Sequence, residues 1–455
     1  MMHQWKNSER RGAGRRIAAA LLAVALLAGC SPRDIVGNVE LPPELHDPSA
    51  TETPAGALQA YHGVLAQFRS AFGARDTGFV EISGLLADEL EMAEAGDATW
   101  YAVNGVDSRT LPEENVDPDD MAAALYGLLH GVRGQGAQAT GLLRDFAADS
   151  SPALRGHLFA LEAYSEVMLA ELYCSGIPLS TLDYRGDYTL APGSSTAEVL
   201  EHAVALFDSA LALSTDSARF LDLARVGKGR ALLALGRFDE AAAAVQDVPI
   251  GYRYEVRYSG AAGLNAANFA MTSHRRPFRV SDMEGVNGLP YASSTDARVG
   301  AVPAGVDGYG HPVSLPTKYA ADGSSPIVLA DWIEARLIEA EAALQKHDAL
   351  TWLAILNELR ATAIDPALPD TTDPGDWDAE VSLHFHERAF WLFLTGHRQG
   401  DMRRLIRQYQ RPPQLVYPSG PYTGFRTYGT DVDVPIPTRE RDSNPLFGGC
   451  QSRGA

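Results

Sequence analysis

The chain is poor in cysteine, in lysine and in positive charge. Its three cysteines, Cys30, Cys174 and Cys450, are too few for a disulfide framework or a four-thiolate zinc site. Whether Cys174 and Cys450 meet is left open by the sequence. Only four of the 38 basic residues are lysine (Lys6, Lys228, Lys318 and Lys346), a skew of codon composition rather than a design of arginine pairs. Against them stand 58 acidic residues, giving a formal net charge of −20. Such a balance excludes tracking a phosphate backbone, which needs clustered cations. Beyond the first 30 residues there is no apolar run long enough to span a bilayer. What remains is 455 residues with 45% hydrophobic and 8% aromatic content, ordinary for a large folded body and incompatible with wholesale disorder.

The amino terminus addresses the chain for export. Lys6, Arg10, Arg11, Arg15 and Arg16 precede an apolar stretch from Ile17 to Ala28, too short to span as a helix. The stretch ends in Leu27-Ala28-Gly29-Cys30, which resembles the lipobox of bacterial lipoproteins. That resemblance implies removal of residues 1–29 and attachment of lipid to Cys30. Several acyl chains hold a protein at a membrane far better than one. Pro42, Pro43, Pro48 and Pro54 lie among small and acidic residues, so 30–53 reads as a tether and 54–455 as the body.

The body is expected to be all-α. Amphipathic periodicity predicts helices over Ala55–Phe72, Ala122–Phe146, Ala153–Tyr173, Thr196–Leu213, Phe220–Leu235, Asp239–Val245, Val328–Gln345, Trp352–Ala363 and Ala379–Leu394. The turn in Gly229–Ala241, with Gly236 stopping one helix and Phe238 and Ala241 opening the next, resembles a tetratricopeptide-repeat junction; Glu334–Ala342 followed by Trp352–Arg360 has the same layout. The expectation is a tetratricopeptide-like helical-repeat scaffold within 54–248 and 327–409. A large loop-rich insertion lobe would occupy about 249–326, and a loop-rich carboxyl-terminal segment 410–455. Long loops in a compact helical protein are usually functional.

Enzyme motifs are incomplete. Gly134-Gln135-Gly136 would need a preceding strand to cradle a dinucleotide, and the residues before it look helical, so it reads as small residues at a helix contact. His386-Glu387 lacks a second histidine four residues on, where Phe390 stands. His384 and His386 point to different sides of a helix. Asp431 with Asp433, and Asp117 to Asp120, lack calcium-loop spacing and read as solvated loop acids. The sequence therefore gives no enzyme, no metal and no cofactor.

One segment carries more. Glu387-Arg388, then Gly396, Arg398, Asp401 and Arg403, resembles the carboxyl-terminal signature of the SusD/RagB family of outer-membrane nutrient-binding lipoproteins. Trp391 and Thr395 stand where that pattern has glutamates, and Gln399 where it has an aromatic. Further stretches resemble the family in the same order: Leu172-Tyr173 to Pro178, Ser294 to Arg298, Lys318-Tyr319, Ile338 to Ala342, and Val434-Pro435-Ile436-Pro437 with Glu440 and Asn444-Pro445. Arg398 and Asp401, three apart, suit an ion pair on one helical face with an architectural role. The resemblance implies capture of a nutrient, an oligosaccharide by expectation, and its delivery to a SusC-like TonB-dependent outer-membrane transporter by non-covalent binding, at the outer membrane and facing outward. An alternative is a repeat-scaffold lipoprotein for envelope assembly with no small-molecule ligand.

Sugar rings stack on flat aromatics while amides and carboxylates take their hydroxyls. The candidate binding residues are the loop aromatics Trp100, Tyr101, Tyr258, Tyr291 and Tyr309 with Asn104 and Asn287; Asp307 is a further polar neighbour, and Tyr417, Tyr422 and Tyr428 form a second group. Tyr319 reads as structural, and Trp332, Trp352 and Trp391 as core.

Overall fold

The computed structural model describes residues 51–74, 78–92, 105–111, 121–259, 278–307, 310–320, 323–422 and 426–455. Thr53–Ala455 forms one compact unit. Cys30 and the tether up to residue 50 lie outside the described residues.

Helices begin where side chains can satisfy the free amides of a first turn. Helix α1 (Pro54–Gly73) is capped by Thr53 and has proline in its first turn. After α2 (Phe79–Leu86) and the short strand β1 (Leu90–Met92) comes α3 (Met121–Phe146), then α4 (Pro152–Leu172), capped by Ser151. Two small hairpin-like pairs follow: β2 (Ile177–Pro178) with β5 (Gly193–Ser194), and β3 (Thr181–Leu182) with β4 (Tyr188–Thr189). Helix α5 (Thr196–Leu213) opens with a reciprocal capping box between Ser195 and Glu198. It packs on α4 and on α6 (Ala218–Ala234), which packs on α7 (Phe238–Val245). At that junction Gly236 takes φ +75°, and a Cβ on Gly229 would come within 2.6 Å of Val245 Cγ1. The repeat-like close approach read from the sequence is therefore present.

The segment between 249 and 326 carries strands: β6 (Arg253–Val256), β7 (Phe278–Val280), β8 (Ala301–Val306) and β9 (Pro312–Pro316), followed at once by β10 (Ile327–Asp331). Strand β6 pairs antiparallel with β10, β1 with β7, and β8 with β9. Here one expected helix changes. Val328–Asp331 is strand, because Ile327 to Asp331 is buried throughout and bonds to β6; the helix starts only after Asp331, whose carboxylate caps Glu334 N at 2.9 Å. Helix α8 (Trp332–Gln345) then packs on α7 and on α9 (Ala349–Thr362). Helices α10 (Trp377–Trp391) and α11 (Arg398–Arg407) follow, then α12 (Pro413–Val416), the pair β11 (Pro421–Tyr422) and β12 (Arg426–Thr427), and α13 (Thr438–Ser443). The mostly helical, repeat-like architecture is as the sequence leads one to expect. Among the described residues no helix is long and apolar enough to cross a membrane.

The signature segment is a buried ion network, but not the pair the spacing suggests. Arg398 reaches back to Asp88, donating to both carboxylate oxygens at 2.7 and 2.9 Å. Asp401 instead accepts from Arg388 at 2.9 Å and from Arg404 at 2.7 Å, and Arg404 also donates to Glu341. Arg403 donates to the carbonyls of Ala170 and Tyr173. The i, i+3 geometry that would join Arg398 to Asp401 loses to tertiary partners from α10 and from the start of the chain. Asp433 is buried rather than solvated and accepts from Arg453, as does the half-buried Asp431. Cys174 and Cys450 form a disulfide, with Cα atoms 5.8 Å apart, which closes the question the sequence left open.

Glu89 gives a pH prediction. It is buried, accepts from Leu394 N at 2.8 Å through one oxygen, and has no partner on the other among the described residues. Burial above all, with Asp88 adding to it, pushes its carboxyl up to about 8. The native state therefore holds a proton that the unfolded chain has released above roughly pH 4.5. Raising pH from there to about 8 should cost stability, by on the order of 1 kcal/mol per unit from this group. Glu89→Gln, neutral at every pH, should flatten the slope in urea titrations at pH 5, 6, 7 and 8; an unchanged slope would refute the assignment.

Candidate ligand-binding cleft

Strand β1 has one outward residue, Glu91, between buried Leu90 and Met92. Its partner across the ladder is Arg279, with Leu90 opposite Val280 and Met92 opposite Phe278. Alternation puts Glu91 and Arg279 on one face, and the guanidinium donates twice to Glu91, at 2.8 and 2.6 Å. Its remaining Nη1 donates to Asp307 at 3.0 Å. Asp307 also accepts from the backbone N–H of His311 at 2.9 Å. One guanidinium thus ties together three distant chain segments. Burial opposes charge on Arg279, yet Glu91 and Asp307 outweigh it and raise its pKa. Above this cluster opens a cleft of about 450 Å³, lined among others by Glu91, Arg279, Asp282, Ser293, His311 and Ser314.

Further acids stand behind it. Asp107 accepts from Met92 N at 3.1 Å and from the Tyr422 hydroxyl at 2.7 Å. Burial, with Glu91 nearby, nonetheless pushes Asp107 up to about 7. Glu284 is 2% exposed, and burial followed by the charges of Glu91 and Asp107 raises it well above an ordinary carboxyl. Carboxyls raised by burial thus stand behind Glu91, which the fixed cation of Arg279 holds. Such a cluster suits a ligand rich in hydroxyls.

The sequence-derived candidates divide. Trp100, Tyr101, Asn104 and Tyr309 lie outside the described residues. The described residues bounding their segments do meet: Met92 precedes 93–104 and bonds to Asp107 just beyond it, while Asp307 precedes 308–309 and bonds to Arg279. These described ends lie beside the Glu91–Arg279 pair. Of three other candidates one is corrected and two are half-buried and engaged in hydrogen bonds. Tyr291 is fully buried, stacked on Phe393 at 4.8 Å and Phe390 at 5.6 Å, so it is core and offers no free face. Tyr258 is half-buried and spends its hydroxyl on Arg69 O at 3.0 Å. Asn287 gives its amide to Tyr417 O at 2.7 Å and accepts from Ser419, pinning one loop to another. Of the second group Tyr417 is buried, while Tyr422 and Tyr428 meet edge to face at 5.0 Å beside the acids of the cleft.

Glu91, Asp107, Arg279 and Glu284 escape a sequence reading. Only the apolar–polar–apolar alternation of Leu90-Glu91-Met92 hints at an outward acid, and its partner lies far along the chain.

The class defined by these observations is a helical-repeat scaffold carrying a cleft in a strand-containing lobe. No family model matches the sequence, and no curated protein matches it. Solved structures do match in fold. A SusD superfamily protein from Bacteroides vulgatus is 15% identical, with a TM-score of 0.63 over 88% of this chain and 99% of that one. A SusD-like carbohydrate binding protein from Bacteroides vulgatus is 15% identical, with a TM-score of 0.64 over 87% of this chain and 97% of that one. NanU from B. fragilis is 16% identical, with a TM-score of 0.59 over 91% of this chain and all of that one. The chain has the SusD fold, a tetratricopeptide-like helical architecture, over nearly its whole body.

Proposed function

We propose that this chain is a SusD-like lipoprotein that captures a nutrient, an oligosaccharide in the first instance, and delivers it by non-covalent binding to a SusC-like TonB-dependent barrel transporter. It is anchored through Cys30 at the outer membrane, facing outward, and performs no covalent step. The observation carrying the reading is the polar cleft at the Glu91–Arg279–Asp307 cluster, beside the described residues that flank the segments bearing Trp100, Tyr101, Asn104 and Tyr309. Support comes also from the whole-length likeness in fold to proteins named for sugar binding, and from the export signal. A disulfide of this kind persists outside the reducing cytosol, in keeping with export. The envelope-assembly alternative gains nothing from a polar cleft.

Calorimetry of the full chain with oligosaccharides, and identification of what co-purifies with it from detergent-solubilised membranes, test the two halves of this reading. His311→Ala should weaken the responding oligosaccharide roughly tenfold, the worth of about one hydrogen bond. Arg279→Met should weaken it further by loosening Glu91 and Asp307. Affinity unchanged in both variants would exclude the cleft, and a membrane partner set without a barrel would exclude the delivery step.

A further inference from the structure

Away from this cleft a second cavity of about 360 Å³ lies between the middle of α3 and the β3–β4 pair. Gly134, part of the glycine-rich stretch noted in the sequence, is in its lining. The sequence suggests a tight helix contact there, yet a Cβ on Gly134 would meet nothing within 4 Å. A glycine in a helix interior is unfavourable unless something needs its space. Here the missing side chain leaves a bare strip of helix that opens the cavity.

The walls are specific. Tyr188, on β4, is 59% exposed and makes no hydrogen bond through its hydroxyl among the described residues. Among the described residues, exposed Gln135 makes no hydrogen bond through its amide, and Gln138 commits its Nε2 to Asp183 O at 3.2 Å. The Ser180 hydroxyl accepts from Ala191 N at 3.1 Å and keeps its proton to donate. Beneath them stands His130. Arg133 Nη1 lies 3.2 Å from its Nδ1, and a guanidinium can only donate, so Nδ1 accepts. Burial first, and Arg133 second, hold this imidazole neutral, which puts its one proton on Nε2. That nitrogen is buried and has no partner among the described residues.

The charged groups lining the cavity are each held by neighbours. Arg133 is neutralised by Glu166 at 2.7 Å, and the carboxylate of Glu440 is held by Tyr126 at 3.3 Å and by Asn444. A cation would meet Arg133 and an anion would meet Glu440. A neutral ring with an apolar face for Tyr188 and hydroxyls for the two amides, Ser180 and His130 fits both the shape and the charge.

We propose that this groove is a second binding site, for the neutral pyranose rings of a hexose oligosaccharide, separate from the cleft at Glu91 and Arg279. The site stands whether or not the cleft binds sugar. The test is calorimetry of the full chain in detergent with maltohexaose, cellohexaose and mannohexaose. The expected result is a heat component abolished by Gly134→Leu, weakened at least tenfold by Tyr188→Ala, and indifferent to His311→Ala. Leucine favours the helix more than glycine does and meets open space, so Gly134→Leu should melt no lower than the parent, and lost binding then reports a filled groove. If none of the three sugars gives such a component, or if binding survives Gly134→Leu, the proposal is overturned. A component sensitive to His311→Ala alone would uphold the cleft and sink the groove.

Discussion

Replacing Asp401 with asparagine is expected to lower the free energy of unfolding by about 3–5 kcal/mol, the cost of breaking a buried ion pair from one side. The residue is 3% exposed, and its carboxylate accepts two bonds from Arg388 and one from Arg404. These two guanidinia outweigh the burial that would otherwise raise Asp401, and hold it well below the usual carboxylate range. Asparagine keeps the shape but takes away the charge, leaving two buried cations to share Glu341. A control lies on the surface, where Lys228 contacts Asp208 at 2.5 Å with the acid 55% exposed. Asp208→Asn should cost less than about 1 kcal/mol, because water already solvates that pair. Urea unfolding of both variants at pH 7 measures the contrast. Equal losses would show that the signature segment does not hold α10 and α11 together.

The second large effect is expected from the disulfide. Cys174 and Cys450 are 276 residues apart, so the bridge removes a very large loop from the unfolded ensemble. Cys174→Ser combined with Cys450→Ser should destabilise by up to about 5–6 kcal/mol on the chain-entropy account. Native contacts beside the bridge do not depend on it: Gln451 N donates to Ser175 O at 2.7 Å, and Gln451 Nε2 to Gly193 O at 2.8 Å. The folded structure should therefore survive at low denaturant with its midpoint shifted. A reductant should produce the same shift in the parent chain and none in the double variant. A double variant as stable as the parent would place the bridge's role elsewhere than in the unfolded state.

Much of the helical scaffold could be read from the sequence because its signals are local. Ser195 with Glu198, Thr53 before Pro54 and Ser151 before Pro152 each mark a helix start within four residues. Gly236 marks a stop in the same way. The errors arose where tertiary pairing decides. Val328 to Asp331 carries an apolar run that suits helix or strand alike, and only the distant β6 makes it a strand. Tyr291 looked like a loop aromatic because its loop is long, whereas its ring belongs to the core around Phe390 and Phe393. Arg398 and Asp401 have helical neighbour spacing, yet Asp88 and Arg388 take them apart. The Glu91–Arg279 bond that founds the cleft joins residues 188 positions apart, a relation no window of sequence displays.

Among the described residues the ladder between β1 and β7 has three rungs, Leu90 with Val280, Glu91 with Arg279 and Met92 with Phe278. The strongest anchoring in the body lies elsewhere, in the arginine–carboxylate lattice of α8, α10 and α11. Loop closure grows costlier only slowly with length. Segments grafted between Met92 and Gly105 could therefore be exchanged, lengthened or shortened while the helices stay as they are. On the proposed function, selectivity would be modular, and a lineage could change its diet by rewriting a dozen positions without having to relearn how to fold.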